Sequence, residues 1–179
     1  MIFANLEYSI PNGTFLRINN EALETFYEHR QTSISLPESG GILLGKAFDE
    51  YTLIEKATTP GKEDKRGLFF FHRQKKRAQL LVNKSFTESQ GKQIYIGEWH
   101  THREKTPHPS LIDKLEIKRA FKKSRLNLDF IICIIVGNDD ILNNIWVGCY
   151  DGKSMKNCRL ITVLKIPFRS KEKSPIIKT

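Results

Sequence analysis

Apolar positions along the chain switch repeatedly between a helical spacing and a strand-like one, and the switches mark out the elements. Between Asn19 and Arg30, Ala22, Leu23 and Phe26 can share one side of a helix, which predicts a first helical segment. "GGILLGKAF" and "YTLIEKAT" then read as two strands joined by a polar turn at Asp49 and Glu50. Ala78, Leu81, Val82 and Phe86 recur at helical spacing and predict a longer helix from Arg73 to Glu88. "KQIYIGEWHTH" follows as a strand, and beyond Pro109 the pattern is helical again, with Leu111, Leu115, Ala120 and Phe121 set among lysines. "LDFIICIIVG" is a near-continuous β-branched run, as expected of a central strand covered on both faces. A turn at "GNDD" leads into "NIWVGCY" as its hairpin neighbour, and "CRLITVLKI" supplies a further strand. The expected class is α/β (or α+β), a mixed central sheet flanked by helices.

Composition narrows this picture without redirecting it. The 179 residues, 39% apolar and 27% charged, fit one domain with one core. We place that domain at residues 1–168 and treat 169–179, basic and interrupted by Pro175, as a loosely held tail. No apolar run approaches the roughly 18 residues of a membrane span. "MIFANLEYSI" lacks the basic segment and long apolar stretch of a secretory signal, so the expected compartment is the cytoplasm. Cys133, Cys149 and Cys158 show no C-x-x-C spacing and read as buried free thiols. The net charge of +9 raises the possibility of a nucleic-acid partner. The cations, however, are spread over "HRQKKRAQ", "DKLEIKRAFKKSR" and the tail without interleaved stacking aromatics. Solvated helix faces come first, an acidic protein partner second, and nucleic acid last; no membrane partner is expected.

The chemistry concentrates in "GEWHTHREKTPHPSLID", Gly97 to Asp113, which holds three of the five histidines. If Ile94 to His102 is a strand, His100 and His102 share a face about 6.6 Å apart while Trp99 and Thr101 face the other way. Two imidazoles so placed can converge on one metal ion, and a catalytic zinc wants a third protein ligand and an open position. Asp113 is the best third ligand by spacing, and His108, held between Pro107 and Pro109, is its competitor. Other readings stand beside this one. An H-x-H pair is common on ordinary strands, and Ser110 to Asp113 also fits the pattern in which a serine caps a helix and an acidic residue reaches back. Capping and metal binding can coexist at Asp113. For a general base there are two candidates: Glu98, on the strand face of the histidines, and Glu38 in "PESGGILLGK", followed by two glycines that permit close backbone approach. Spacing leaves that choice open. His29 and His72, with basic neighbours and no ligand spacing, are taken as ordinary surface or core histidines.

As a set, Glu38 before a Gly-Gly strand, then His100-Thr101-His102, seven residues, Ser110, two residues and Asp113 resemble the JAMM signature of MPN+/JAB metalloproteases, E…H-[ST]-H-x(7)-S-x(2)-D. The resemblance implies a cytidine-deaminase-like JAB/MPN fold and Zn2+ held by His100, His102 and Asp113 with water in the fourth position. It further implies Glu38 as general base and Ser110 as a stabiliser of the oxyanion. One departure is Arg103, where many members carry proline after the second histidine. "GGILLGK", "GEWHTH" and the small size look most like prokaryotic JAB-domain proteins, including those encoded in CBASS antiphage operons. The implied reaction is hydrolysis of the amide after the C-terminus of a conjugated protein, either a cGAS/DncV-like nucleotidyltransferase or another ubiquitin-like protein. Two other classes remain: a non-catalytic zinc-binding scaffold, and a zinc deaminase, whose H-x-E and P-C-x-x-C motifs do not occur here. "TTPGKEDKRGLFFFHR" is the candidate recognition segment, with a surface turn leading into a buried strand as its alternative.

Overall fold

The computed structural model describes residues 4–165. In chain order the described elements are β1 (Ala4–Ser9), β2 (Phe15–Ile18), α1 (Asn20–Glu28), β3 (Gly40–Ala47), β4 (Tyr51–Ala57), β5 (Lys65–Gly67) and β6 (Phe70–His72). There follow α2 (Lys75–Glu88), β7 (Ile94–Thr101), α3 (Leu111–Lys123), β8 (Ile131–Val136), β9 (Ile145–Tyr150), β10 (Met155–Asn157) and β11 (Arg159–Lys165). Nine strands form one mixed sheet in the order β10-β9-β8-β7-β3-β4-β2-β1-β11, and β5 and β6 make a separate hairpin. Pairing is parallel at β7/β8 and β2/β4 and antiparallel elsewhere. The mixed α/β class read from the sequence is therefore the class observed.

Three helices cover the sheet unequally. Helix α1 buries Ala22, Leu23 and Phe26 on one face, against Leu6, Leu16, Ile96, Trp99, Ile132 and their neighbours. Each such large side chain contributes about 1.5–3 kcal/mol by leaving water. Trp99 sits 5.0 Å from the Phe26 ring and is fully buried because its indole N–H finds the Thr58 carbonyl at 3.0 Å. Helices α2 and α3 cover the opposite face, α2 over Ile42 and Leu44 and α3 over Ile131, Cys133 and Ile135. β8 is buried along its whole length, with alternate residues serving the two faces, as its unbroken apolar run requires.

β7 departs from simple alternation. Leu43 pairs with Gly97 and Leu44 with Tyr95, which leaves Ile96 as an extra residue on β7. The slip turns Ile96 and Trp99 to the α1 face and brings Tyr95 and Glu98 together on the other, where the Tyr95 hydroxyl donates to Glu98. Beyond the slip, alternation resumes and His100 points toward α3 while Thr101 is buried on the α1 side. Neighbouring β3 begins with Gly40 and Gly41 for a steric reason. A Cβ at Gly40 would lie 2.6 Å from the Trp99 carbonyl, and one at Gly41 would fall on the Thr58 carbonyl.

Several expectations need correction. Phe86 is exposed, and the buried polar member of that turn of α2 is Ser85, bonded to Gln93. Leu111 and Leu115, two of the apolar positions that mark α3 in the sequence, are 78% and 52% exposed, and Ile117 is the buried residue. β1, β2, β5 and β10 are additional to the elements expected from the pattern, although Ala4, Leu6, Tyr8 and Ile10 alternate strictly with polar residues. Residues 65–72 form an exposed hairpin, not a buried strand. The three cysteines are buried and free, as expected. The basic tail, 169–179, lies outside the described residues. Among the described residues no helix is long and apolar enough to cross a membrane.

Candidate metal centre

The end of β7 is fixed from both sides. β3 and β8 flank it, and the pairing with β8 continues one residue past the strand, where the His102 N–H donates to the Val136 carbonyl at 2.9 Å. His100 and His102 consequently lie one above the other with ring centroids 4.9 Å apart and their Nε2 atoms separated by 3.1 Å. Asp113 arrives from the first turn of α3, which Ser110 caps. Ser110 Oγ accepts from the Asp113 N–H at 3.2 Å, and Asp113 Oδ2 accepts from the Ser110 N–H at 2.7 Å. The same carboxylate stands 3.2 Å from His100 Nε2 and 3.5 Å from His102 Nε2. Asp113 thus caps the helix with one edge and faces the imidazoles, so its two roles coexist.

These distances test a metal directly. Ligands held about 2.0–2.1 Å from a tetrahedral zinc are separated by roughly 3.3 Å. The imidazoles approach to 3.1 Å and lie 3.2 and 3.5 Å from the two different oxygens of Asp113, and all three side chains are about 15% exposed, so the cluster can converge on a small divalent cation with a side open to the groove. His108 is not part of it: its Nδ1 lies by the Thr106 carbonyl in an exposed loop. His29 faces the Thr25 carbonyl, and His72 lies 3.7 Å from Glu116, away from the cluster.

A groove of about 490 Å³ runs over the cluster, bounded by Glu38, the hairpin residues Leu68 to Arg73, Ser110 and Ile112. Electrostatics within it are uneven. Burial raises the Glu38 carboxyl to about 6; the charges of His100 and His102 oppose the shift and that of Asp113 adds to it. Burial acts the same way on Asp113, but hydrogen bonds from His100, His102 and Ser110 overcome it and hold this carboxyl far below the usual range. Burial disfavours a charged His102, yet the hydrogen bond and charge of Asp113, with Glu38 and Glu104, raise its pKa. The groove therefore concentrates negative charge around two imidazoles, an arrangement that a cation completes.

The two candidate bases differ sharply. Glu98 accepts from Arg73 Nε at 2.9 Å and from the Tyr95 hydroxyl at 2.9 Å, an interaction set that ties β7 to the start of α2. Among the described residues no side chain donates to Glu38, which is 7% exposed and turns into the groove. Sequence reasoning missed three further residues around the site: Gln31, Thr101 as a hydrogen-bonding group, and Arg66. Nothing in their spacing marks them, because their partners are mostly backbone atoms brought together by the fold.

Comparison with known proteins agrees with this geometry. Residues 19–147 match the family described as prokaryotic homologs of the JAB domain. A protein of Pseudomonas aeruginosa named CD-NTase/cGAS isopeptidase is 37% identical over 79% of this chain and 89% of its own length. Proteins of the same name from Escherichia coli and Vibrio cholerae are 34% and 31% identical, over 78% and 76% of this chain and 82% and 79% of theirs. The solution structure of protein DSY2949 from Desulfitobacterium hafniense shares the fold, with a TM-score of 0.55 at 17% identity over 78% of this chain and 87% of that one. With most of its length inside the family match and 31–37% identity to three such relatives over the aligned residues, the chain belongs to the prokaryotic JAB-domain family.

Proposed function

We propose that this chain is a zinc-dependent isopeptidase that hydrolyses the amide bond joining the C-terminus of a conjugated protein to its target. The protein released would be a cGAS/DncV-like nucleotidyltransferase of CBASS antiphage defence. The observation that carries this reading is the convergence of His100, His102 and Asp113 at zinc-ligand separations in the groove that also holds Glu38. The names of the three bacterial relatives support the substrate class. In this reading the fold is the cytidine-deaminase-like JAB/MPN fold and the protein works in the cytoplasm. We take residues 1–168 as the domain, a reading supported by the pairing of β11 with β1, which brings the two ends of the described chain together at one edge of the sheet.

When bound by His100, His102 and Asp113, zinc supplies Lewis acidity to the water and the carbonyl that react. Glu38 takes a proton from the attacking water as the new C–O bond forms. It then passes that proton to the amine as the C–N bond breaks, yielding a free carboxylate and a free amine. Its carboxyl near 6 suits both halves, being ionised at neutral pH yet able to hold a proton briefly. The Ser110 hydroxyl oxygen serves as acceptor in the helix cap, which leaves its O–H to donate to the developing oxyanion. No side-chain nucleophile is needed. Leu68, Phe69 and Phe70 line the groove beside the site and offer apolar contact to an extended C-terminal tail.

A zinc-binding scaffold without activity would need no isolated buried carboxylate beside its ligands, so Glu38 favours the enzyme. The test is to compare conjugates of the operon's nucleotidyltransferase, by immunoblot and mass spectrometry, in cells carrying the wild-type chain or Glu38→Ala. Conjugates should accumulate with the variant and disappear with wild type. Equal levels, in cells where conjugation is demonstrated, would reject the reading.

A further inference from the structure

Glu38 stands just ahead of β3, in a stretch from Leu36 to Ser39 without regular structure, and no side chain donates to its carboxylate among the described residues. Its placement is therefore set by its backbone, and each backbone polar group of Glu38 and Ser39 is bonded to another part of the fold. The Glu38 N–H donates to the Gly67 carbonyl at 2.8 Å, and the Glu38 carbonyl accepts from Arg66 Nε at 2.6 Å. The Ser39 N–H donates to Thr101 Oγ1 at 2.9 Å, and the Ser39 carbonyl accepts from the Thr101 N–H at 2.8 Å. Arg66 Nη2 also reaches Ser39 Oγ at 2.6 Å and the Pro37 carbonyl at 3.3 Å.

One buried side chain joins these segments. Gln31 is 1% exposed; its Nε2 donates to the Leu36 carbonyl at 3.0 Å and the Leu68 carbonyl at 3.4 Å, and its Oε1 accepts from Thr101 Oγ1 at 3.3 Å. Thr101 lies between the two histidines, Leu36 and Ser39 bracket Glu38, and Gly67 and Leu68 belong to the β5–β6 hairpin. A polar side chain so deeply buried is costly unless its bonds are made, so this network holds a single arrangement firmly.

We propose that Gln31 and Arg66 are positioning residues: with Thr101 and the β5–β6 hairpin they lock the backbone of Glu38 and so aim its carboxylate at the histidine cluster. The hairpin is then part of the mounting of the base, through Arg66 and Gly67, as well as a wall of the groove. This inference rests on the assignment of Glu38 as base.

The test compares wild type, Arg66→Ala, Arg66→Lys and Gln31→Met on an isopeptide-linked nucleotidyltransferase conjugate, with zinc-loaded protein. Zinc affinity is measured by chelator competition, and amide exchange at Glu38 and Ser39 by NMR on metal-free protein. Arg66 is solvent-exposed along part of its length, so its variants should fold even if Gln31→Met does not. Arg66→Ala should lower kcat by about 10- to 100-fold, the scale of a misplaced catalytic group, with KM and zinc affinity unchanged. Exchange at Glu38 should quicken, and Arg66→Lys, which keeps one donor group for the same carbonyls, should fall between. Unchanged kcat and unchanged exchange in Arg66→Ala would overturn the proposal, as would a loss confined to KM. If wild type cleaves nothing, the isopeptidase reading fails on its own, while the exchange data still decide whether Arg66 and Gln31 fix this segment.

Discussion

Glu38, just ahead of β3, and Glu98, on the neighbouring β7, border the same groove, and their surroundings make them opposites. Glu98, on β7 itself, is paired with Arg73 and bonded by Tyr95, so its carboxylate is committed to holding β7 against the start of α2. Glu38 arrives from a separate segment, meets no cation side chain in a hydrogen bond among the described residues, and is pushed up to about 6 chiefly by burial. An uncompensated carboxylate at a metal cluster is costly to keep in a folded protein, and that cost points to chemistry. A compensated one is architecture. Nearness in sequence to His100 would favour Glu98, whereas the partners of each are what support the proposal of Glu38 as base.

The comparison can be broken by exchanging outcomes. Glu38→Ala should retain zinc and lose about 10²- to 10⁴-fold in kcat, the usual worth of a general base. Ser110→Ala should lose about 10²- to 10³-fold if its O–H stabilises the oxyanion. It should also lose about 1 kcal/mol of stability, read by denaturant melting, as the helix cap goes. Glu98→Ala should do the reverse of Glu38→Ala. Leaving the largely buried Arg73 unpaired costs about 1–3 kcal/mol of stability, while turnover in folded protein stays near wild type. A Glu98→Ala protein that melts normally but cannot cleave would invert the two roles.

The smallest effect is one of pH. Because folding raises the Glu38 pKa from its ordinary 4.5 to about 6, the native state binds this proton more tightly than the unfolded chain. Stability contributed by the protonated group is thus lost as pH rises through that window. Glu38→Gln removes the ionisation, so in metal-free protein its melting temperature should exceed that of wild type at pH 7.5, and the difference should shrink below pH 4.5. A constant difference across this range would mean that Glu38 is not strained in the fold.

How much of this was legible in the sequence follows from the range of the interactions. The histidine pair, the capping serine and Asp113 were readable because strand alternation and a helix start place them locally, and the observed separations agree. β8 announced itself by its apolar run. The extra residue at Ile96 was not readable, because it is defined by pairing with β3, fifty residues away in sequence. Nor was Gln31, an ordinary glutamine until its amide meets Leu36, Leu68 and Thr101. Leu111 and Leu115 mark α3 yet lie exposed on it, because helical spacing shows that a stripe exists without showing that anything covers it. β1 and β2 were missed although β1 alternates cleanly; with β11 they build the far edge of the sheet, remote from the site.

The central claim is that His100, His102, Asp113 and Glu38 together hydrolyse a C-terminal amide. The most direct test incubates purified nucleotidyltransferase conjugate with zinc-loaded wild type, with chelator-treated wild type and with zinc-loaded Glu38→Ala, and reads the products by intact-mass spectrometry. The account predicts release of the nucleotidyltransferase with a free C-terminal carboxylate by zinc-loaded wild type alone. An intact conjugate with zinc-loaded wild type, or equal cleavage by Glu38→Ala, would contradict it.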